Sequence, residues 1–337
     1  MLRLPLAALA AALLLGACAP DAPTGTQPDA GAPVLAKAVA YSSWAAAINV
    51  EQIPGTAPTF NTVALEGCPF IAPDGKTFYM ASNRAGGLGG LDIWVSTRES
   101  TDDPWGAPVN AGAPVNSEYN DFCPTLARND HTFFFASNRP GGCGGDDLYV
   151  TRRRDDQGYD APENLGCAVN SAGNEAGPSY LTEPGSGPVL YFSSTRAGGP
   201  GAEPPGALTG DADIYRSEWH GGAFGLAAIV PGVNSAANDG QPNVERDGRE
   251  IYFFSNRAGT LGGNDIYAAT RDKARNAWST PFNLGPNVNS PFDETRPSLS
   301  WDGETLYFGS NRPPELGGEG LNDIYVTTRD RLTGKRK

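Results

Sequence analysis

The chain has 337 residues, of which 39% are hydrophobic and only 19% charged, with 43 glycines and 29 prolines. That length allows one large domain or two smaller ones, and the turn-rich composition favours many short strands over long helices. A net charge of −13 excludes nucleic-acid binding by counterion release, which needs a basic face.

The N-terminal stretch MLRLPLAALAAALLLGAC carries one positive charge, Arg3, and then an apolar run from Leu4 to Leu15. The run is too short to span a bilayer and reads as an export signal, to be set aside from the fold. It ends in Leu15-Gly16-Ala17-Cys18, which resembles a bacterial lipoprotein signal. The resemblance implies that residues 1–17 are removed and that Cys18 carries acyl chains anchoring the protein in a membrane. With Ala19 next rather than aspartate, it also implies sorting to an outer membrane, facing the periplasm or the cell surface. Residues 18–40 follow as a flexible tether, rich in Pro, Ala, Gly and Thr at APDAPTGTQPDAGAP.

From residue 41 to about 330 the chain repeats. Arg84, Arg139, Arg196, Arg257 and Arg312 are spaced by 55, 57, 61 and 55 residues. Ten residues before each lies a turn pair such as Asp74-Gly75, Asn129-Asp130, Ser186-Gly187, Asp247-Gly248 or Asp302-Gly303, residue types that accept tight hairpins. Between turn and arginine runs an unbroken apolar segment (TFYMAS, TFFFAS, VLYFSS, IYFFSN, TLYFGS), the signature of a strand covered on both faces. A Gly-rich loop and a second strand follow (DIWVST, DLYVTR, DIYRSE, DIYAAT, DIYVTT), with a further strand beginning at each proline (PFIAP, PTLAR, PSYLT, PNVER, PSLSW) and a fourth around WGAPVN or WSTPFN. Four short strands per unit, buried on both sides, need a neighbour on each side. The prediction is an all-β fold, a β-propeller of four-stranded antiparallel blades.

The last copy stops at DIYVTTRDRLTGKRK without a fourth-strand segment, whereas the N-terminal region holds one, Tyr41-Ser-Ser-Trp44-Ala-Ala-Ala-Ile48. That segment is expected to be the outer strand of the last blade, closing the ring and removing sheet edges. Five blades result, or six if residues 34–66 form more than one strand. Residues 331–337 are left as a basic tail. PSLSWDGETLYFGSNR followed by NDIYVTTR resembles the repeat of the TolB-like (WD-like) periplasmic β-propellers, over roughly residues 66–330. The resemblance implies the propeller fold.

Charged residues recur in step. An acid stands three residues before each proline (Glu66, Asp121, Glu175, Asp239, Glu294), and an aspartate opens each strand after the Gly loop (Asp92, Asp147, Asp213, Asp265, Asp323). The five arginines and these aspartates are expected to form a charge network tying blades together, since the arginine fork takes a carboxylate with two bonds. Alternatively, the first set of acids rings the mouth of the central channel, where it would attract a cation or a basic segment. The Gly141–Leu148 stretch imitates a calcium repeat, but such sites recur every nine residues, not at the spacing found here. His131 and His220, the two histidines, fall in turns and in no metal or catalytic motif. No cofactor is expected. Cys68, Cys123, Cys143 and Cys167 suit disulfides in an exported protein, with 68–123 and 143–167 favoured.

The functional expectation is a lipid-anchored, monomeric, non-catalytic propeller that binds an envelope protein, through the divergent loop 197–212 of the third copy. The alternative is a propeller that binds or cleaves polysaccharide. Fold alone does not choose between them.

Overall fold

The computed structural model describes residues 40–129, 131–155, 158–183, 187–198 and 211–333. The signal segment, Cys18, the tether before residue 40, Asp130, Ser186, most of loop 197–212 and residues 334–337 lie outside the described residues. Two short strands open the chain, β1 (Ala40–Tyr41) and β2 (Ile48–Asn49). The first blade comprises β3 (Glu66–Ile71), β4 (Thr77–Ser82), β5 (Asp92–Thr97) and β6 (Val109–Asn110). The second comprises β7 (Asp121–Leu126), β8 (Thr132–Ser137), β9 (Asp147–Arg152) and β10 (Glu163–Asn164). In the third, β11 (Glu175–Glu183), β12 (Gly187–Ser194) and β13 (Asp213–His220) are longer; β13 pairs with both β14 (Ala223–Phe224) and β15 (Ala228–Ile229). The fourth comprises β16 (Asp239–Val244), β17 (Glu250–Ser255), β18 (Asp265–Thr270) and β19 (Phe282–Asn283). The fifth has β20 (Glu294–Leu299), β21 (Thr305–Ser310) and β22 (Asp323–Thr328), and β23 (Arg331–Thr333) ends the described chain.

Each blade is an antiparallel meander, and the fold is a five-bladed propeller. The fifth blade is completed by β2, with Ile48 opposite Val326 and Asn49 opposite Tyr325. The packing beside it repeats that of the other blades. The Arg329 guanidinium lies 4.6 Å from the Trp44 ring, as Arg98 lies 4.2 Å from Trp105 and Arg271 4.0 Å from Trp278. β23 pairs with β1 in a separate two-stranded sheet, so Ala40, expected in the tether, and Arg331–Thr333, expected in the basic tail, are strand residues.

The second strand of each blade is the apolar run of the sequence, and in β4 every residue is buried. Its aromatic residues pack between blades: Phe78 meets Trp105 at 5.2 Å and Tyr307 of the fifth blade at 5.0 Å. The innermost strand begins at the acid, three residues before the proline where the sequence reading started it. The residue just before the proline is left-handed in all five blades: Cys68 (φ 48°), Cys123 (50°), Gly177 (59°), Gln241 (47°) and Arg296 (58°). The register of the first strand pair slips at the same point in every blade. The physical reason is the proline that follows. It has no N–H to give the ladder, and a bulge removes that position from the pairing.

Candidate functional site

Two repeated arrangements dominate the propeller: a charged clamp in each blade, and a channel along the axis. The clamp is built from the arginine after the second strand. Its guanidinium reaches back to the acid that opens the first strand, at 3.0 Å for Arg84–Glu66, 2.5 Å for Arg139–Asp121, 3.2 Å for Arg196–Glu175, 2.5 Å for Arg257–Asp239 and 3.2 Å for Arg312–Glu294. The same Nη2 donates to the carbonyl of Phe60, Val115, Val169, Val233 or Val288. Each carboxylate also accepts from the backbone N–H and hydroxyl of a Ser or Thr four residues earlier, for example Ser235 to Asp239 and Thr62 to Glu66. The cation lies over aromatic rings of its own blade, Arg257 at 5.1 Å from both Phe253 and Tyr267. Burial pushes the Glu294 carboxyl up, against the pull of Ser290 and Arg312. Burial likewise lowers Arg84, against the pull of Glu66.

These five acids are fully buried and do not line the axial cavity. The channel-mouth placement of Glu66, Asp121, Glu175, Asp239 and Glu294 is therefore corrected: each is turned into its blade by the hydrogen bonds that enclose it. They, rather than the second set, are the arginines' partners. Asp92, Asp147, Asp265 and Asp323 instead hold the Gly loop, accepting from the backbone N–H of Leu88, Cys143, Leu261 and Glu319. Asp213 occupies the same strand position and is buried.

The Gly loop packs against the next blade. The residue before each of these aspartates offers its carbonyl to the next blade's acid: Leu91 to Asp121, Asp146 to Glu175, Ala212 to Asp239, Asn264 to Glu294 and Asn322 to Glu66, at 2.7–2.8 Å. A Cβ on Gly89, Gly144, Gly262 or Gly320 would overlap backbone carbonyls of the neighbouring blade. Glycine at these positions is required by close approach rather than by turn geometry alone.

Sequence reasoning missed a bridging asparagine in every unit, buried in four of them and half-buried at Asn234. Asn116, Asn170, Asn234, Asn289 and Asn61 each accept from the N–H of the residue after the strand-opening aspartate. Their Nδ2 groups return a bond to that same residue's carbonyl. The available signal was the recurring VNS triplet, whose valine carbonyl, asparagine amide and serine hydroxyl each have a defined partner.

The axial channel is lined by the left-handed residues and their prolines. Cys68 and Cys123 are joined across the first two blades, and Cys143 is joined to Cys167. The narrow part of the channel is about 30 Å³. It adjoins a chamber of about 80 Å³ lined by Phe70, Tyr180, Leu299 and Trp301, with Arg128, Arg246 and Glu245. On the face bearing the Asp-Gly turns, Trp301 and Arg246 also border a cleft of about 980 Å³ between the first and fifth blades. Two carboxylates of that cleft are engaged in their own turns: Asp74 accepts from Lys76, and Asp302 from Glu304. His131 Nδ1 donates to the Arg153 carbonyl, and exposed His220 lies 3.4 Å from Glu218. Among the described residues, no group of three or more His, Cys, Asp or Glu is placed to hold a metal ion.

No protein-family model and no curated protein matches the sequence. Solved structures do match. An α-L-arabinofuranosidase from Lactobacillus brevis is 14% identical with a TM-score of 0.54, over 84% of this chain and 94% of that one. The catalytic domain of the Coprinopsis cinerea GH62 α-L-arabinofuranosidase is 12% identical with a TM-score of 0.52, over 85% and 96%. A putative TolB from Agrobacterium tumefaciens is 17% identical with a TM-score of 0.47, over 80% and 78%. At these identities the likeness to the two arabinofuranosidases is one of fold alone and assigns no role to this chain.

Proposed function

We propose that this chain is a non-catalytic binding module of the cell envelope, anchored through Cys18 in an outer membrane and acting as a monomer. The observation that carries this reading is the state of the repeated carboxylates. All five acids of the innermost strands are closed by an arginine and fully buried. Acid–base or nucleophilic chemistry on a glycosidic bond needs two carboxyl groups facing a substrate, and these five face their own blades. The partner is an envelope protein, bound through the loop at 197–212, which carries the longest insertion among the five Gly loops. The test is a crosslinked pull-down of the intact chain from membranes, with mass spectrometry of the captured material. One enriched envelope protein, lost on deletion of residues 200–209, is the expected result. A captured set unchanged by that deletion would overturn the placement.

A second reading is favoured by one observation. Trp301 borders both the axial chamber and the wide cleft, an aromatic surface suited to stacking a sugar ring. Glycan fragments co-eluting in the same pull-down, without an enriched protein, would replace the protein partner by a polysaccharide. Fragments that shorten with time would make the chain an enzyme.

A further inference from the structure

We propose that the axial channel is a binding site for a small organic monocarboxylate, with its carboxylate at Arg296 and its body in the adjoining chamber. The five left-handed positions that ring the channel are chemically unequal. Two are spent in the Cys68–Cys123 disulfide, one is Gly177, and the polar pair is Gln241 and Arg296. Arg296 lies against Gly67, where a Cβ would overlap its Nη1. Six arginines of the blades each have a carboxylate: Arg84, Arg139, Arg196, Arg257 and Arg312 in the clamps, and Arg271 with Glu183 at 2.7 Å. Arg296 has none among the described residues, and its Nε is buried without a hydrogen-bond partner. The Gln241 Oε1 is likewise buried without a partner, and an amide can turn its donor to that position. A half-buried guanidinium with a buried Nε and no counter-charge is costly. The cost is visible in the group itself, pushed down to about 10 by burial alone.

The surroundings select the ligand. The narrow cavity of about 30 Å³ admits little more than a carboxylate head, and the planar guanidinium fork matches a carboxylate's two oxygens. The chamber beyond it offers Phe70, Tyr180, Leu299 and Trp301 to an apolar or aromatic body. Arg128 and Arg246 stand at this chamber with one acid, Glu245. A protein of net charge −13 thus presents a locally cationic channel, and such a field concentrates anions at its mouth.

The test is independent of the envelope partner: losing the partner leaves this site standing, and the converse holds. Thermal melting of the full chain is followed at constant ionic strength while chloride is replaced by acetate, butyrate or benzoate. Benzoate is expected to raise the melting temperature more than acetate, and chloride least. In Arg296→Gln this series should collapse, while the variant without ligand melts at or above the wild type, because an uncompensated charge has been removed; a purely structural arginine would lower it. Arg296→Lys, which keeps the charge and loses the fork, should bind benzoate about tenfold more weakly. A readout needing no variant is the line broadening of carboxyl-labelled acetate in the presence of wild-type protein. Absence of broadening, or carboxylate effects equal to chloride or retained in Arg296→Gln, overturns the proposal.

Discussion

Arg257 shows how much one side chain of the clamp does. It binds Asp239 at 2.5 Å and the Val233 carbonyl at 2.6 Å, and lies over the Phe253 and Tyr267 rings. Truncation leaves a fully buried carboxylate with its serine donors but no counter-charge. Arg257→Ala should therefore cost about 3–5 kcal/mol, read as the shift of the urea midpoint; an unmoved midpoint would refute the clamp. Asp323 gives a pH signature at the same scale. Burial pushes its carboxyl up to about 6, helped by Glu66 and Glu319 and opposed by the N–H groups of Glu319 and Gly320. Its folded pKa lies above its unfolded one. The folded protein therefore holds an extra proton between about pH 4 and 6, and stability falls as pH rises through that window. Asp323→Asn keeps an acceptor for the loop and removes the titration. The difference in unfolding free energy between variant and wild type should then change by up to about 1.4 kcal/mol per pH unit within the window and level off above it.

At the scale of the element, the strands and the Gly loop were legible because their causes are local. An unbroken apolar run needs cover on both faces, and five runs at a common spacing need five blades. The innermost strand was misjudged by three residues because its left-handed position carries almost no residue signal of its own. Cys68, Cys123, Gln241 and Arg296 are not residue types that signal a left-handed backbone, and only Gly177 announces it. What places them there is the proline one step on. The asparagines stand in plain view at the middle of VNS, but nothing local signals their role, because the partners of four lie on a strand some twenty residues earlier and that of Asn61 lies at the far end of the chain. The pairing of arginine with the first set of acids was also hidden, since both sets recur at equal spacing and spacing alone cannot rank them. The Gly loop makes a sharper prediction than its composition suggests. A Cβ at Gly262 would overlap the Phe292 carbonyl oxygen of the next blade, whereas Gly259 has φ 100° but open space beside it. Gly262→Ala should cost at least about 2 kcal/mol through displaced backbone, and Gly259→Ala about 1–2 kcal/mol through backbone strain alone. Only the first should loosen the contact between the fourth and fifth blades, read as faster amide exchange at Glu294, whose N–H bonds the Asn264 carbonyl.

At the scale of the whole molecule, the ring is closed twice by the N-terminal region. β2 completes the fifth sheet, and twelve residues after its start Phe60-Asn61-Thr62 supplies the triplet that every other blade receives from its own connection. Asn61 bonds Ile324 of the fifth blade in both directions, at 2.9 Å and 3.2 Å, and Thr62 holds Glu66 of the first. Asn289 does the same work between two blades that are adjacent in sequence, bonding Ile266 at 2.7 Å and 2.9 Å. If closure carries the same load as any other joint, Asn61→Ala and Asn289→Ala should destabilise alike, each by about 2–4 kcal/mol, because each strands one buried N–H and one buried carbonyl. Their kinetic effects should differ. The contacts of Asn61 span 263 residues and those of Asn289 only 23, and distant contacts carry the larger loop-closure cost and form late. Asn289→Ala should then slow refolding, whereas Asn61→Ala should chiefly speed unfolding, since late contacts are absent from the transition state. Stopped-flow folding and unfolding limbs of the two variants decide it. A silent Asn61→Ala would mean that the sheet pairing of β2 suffices and that the second closure is redundant.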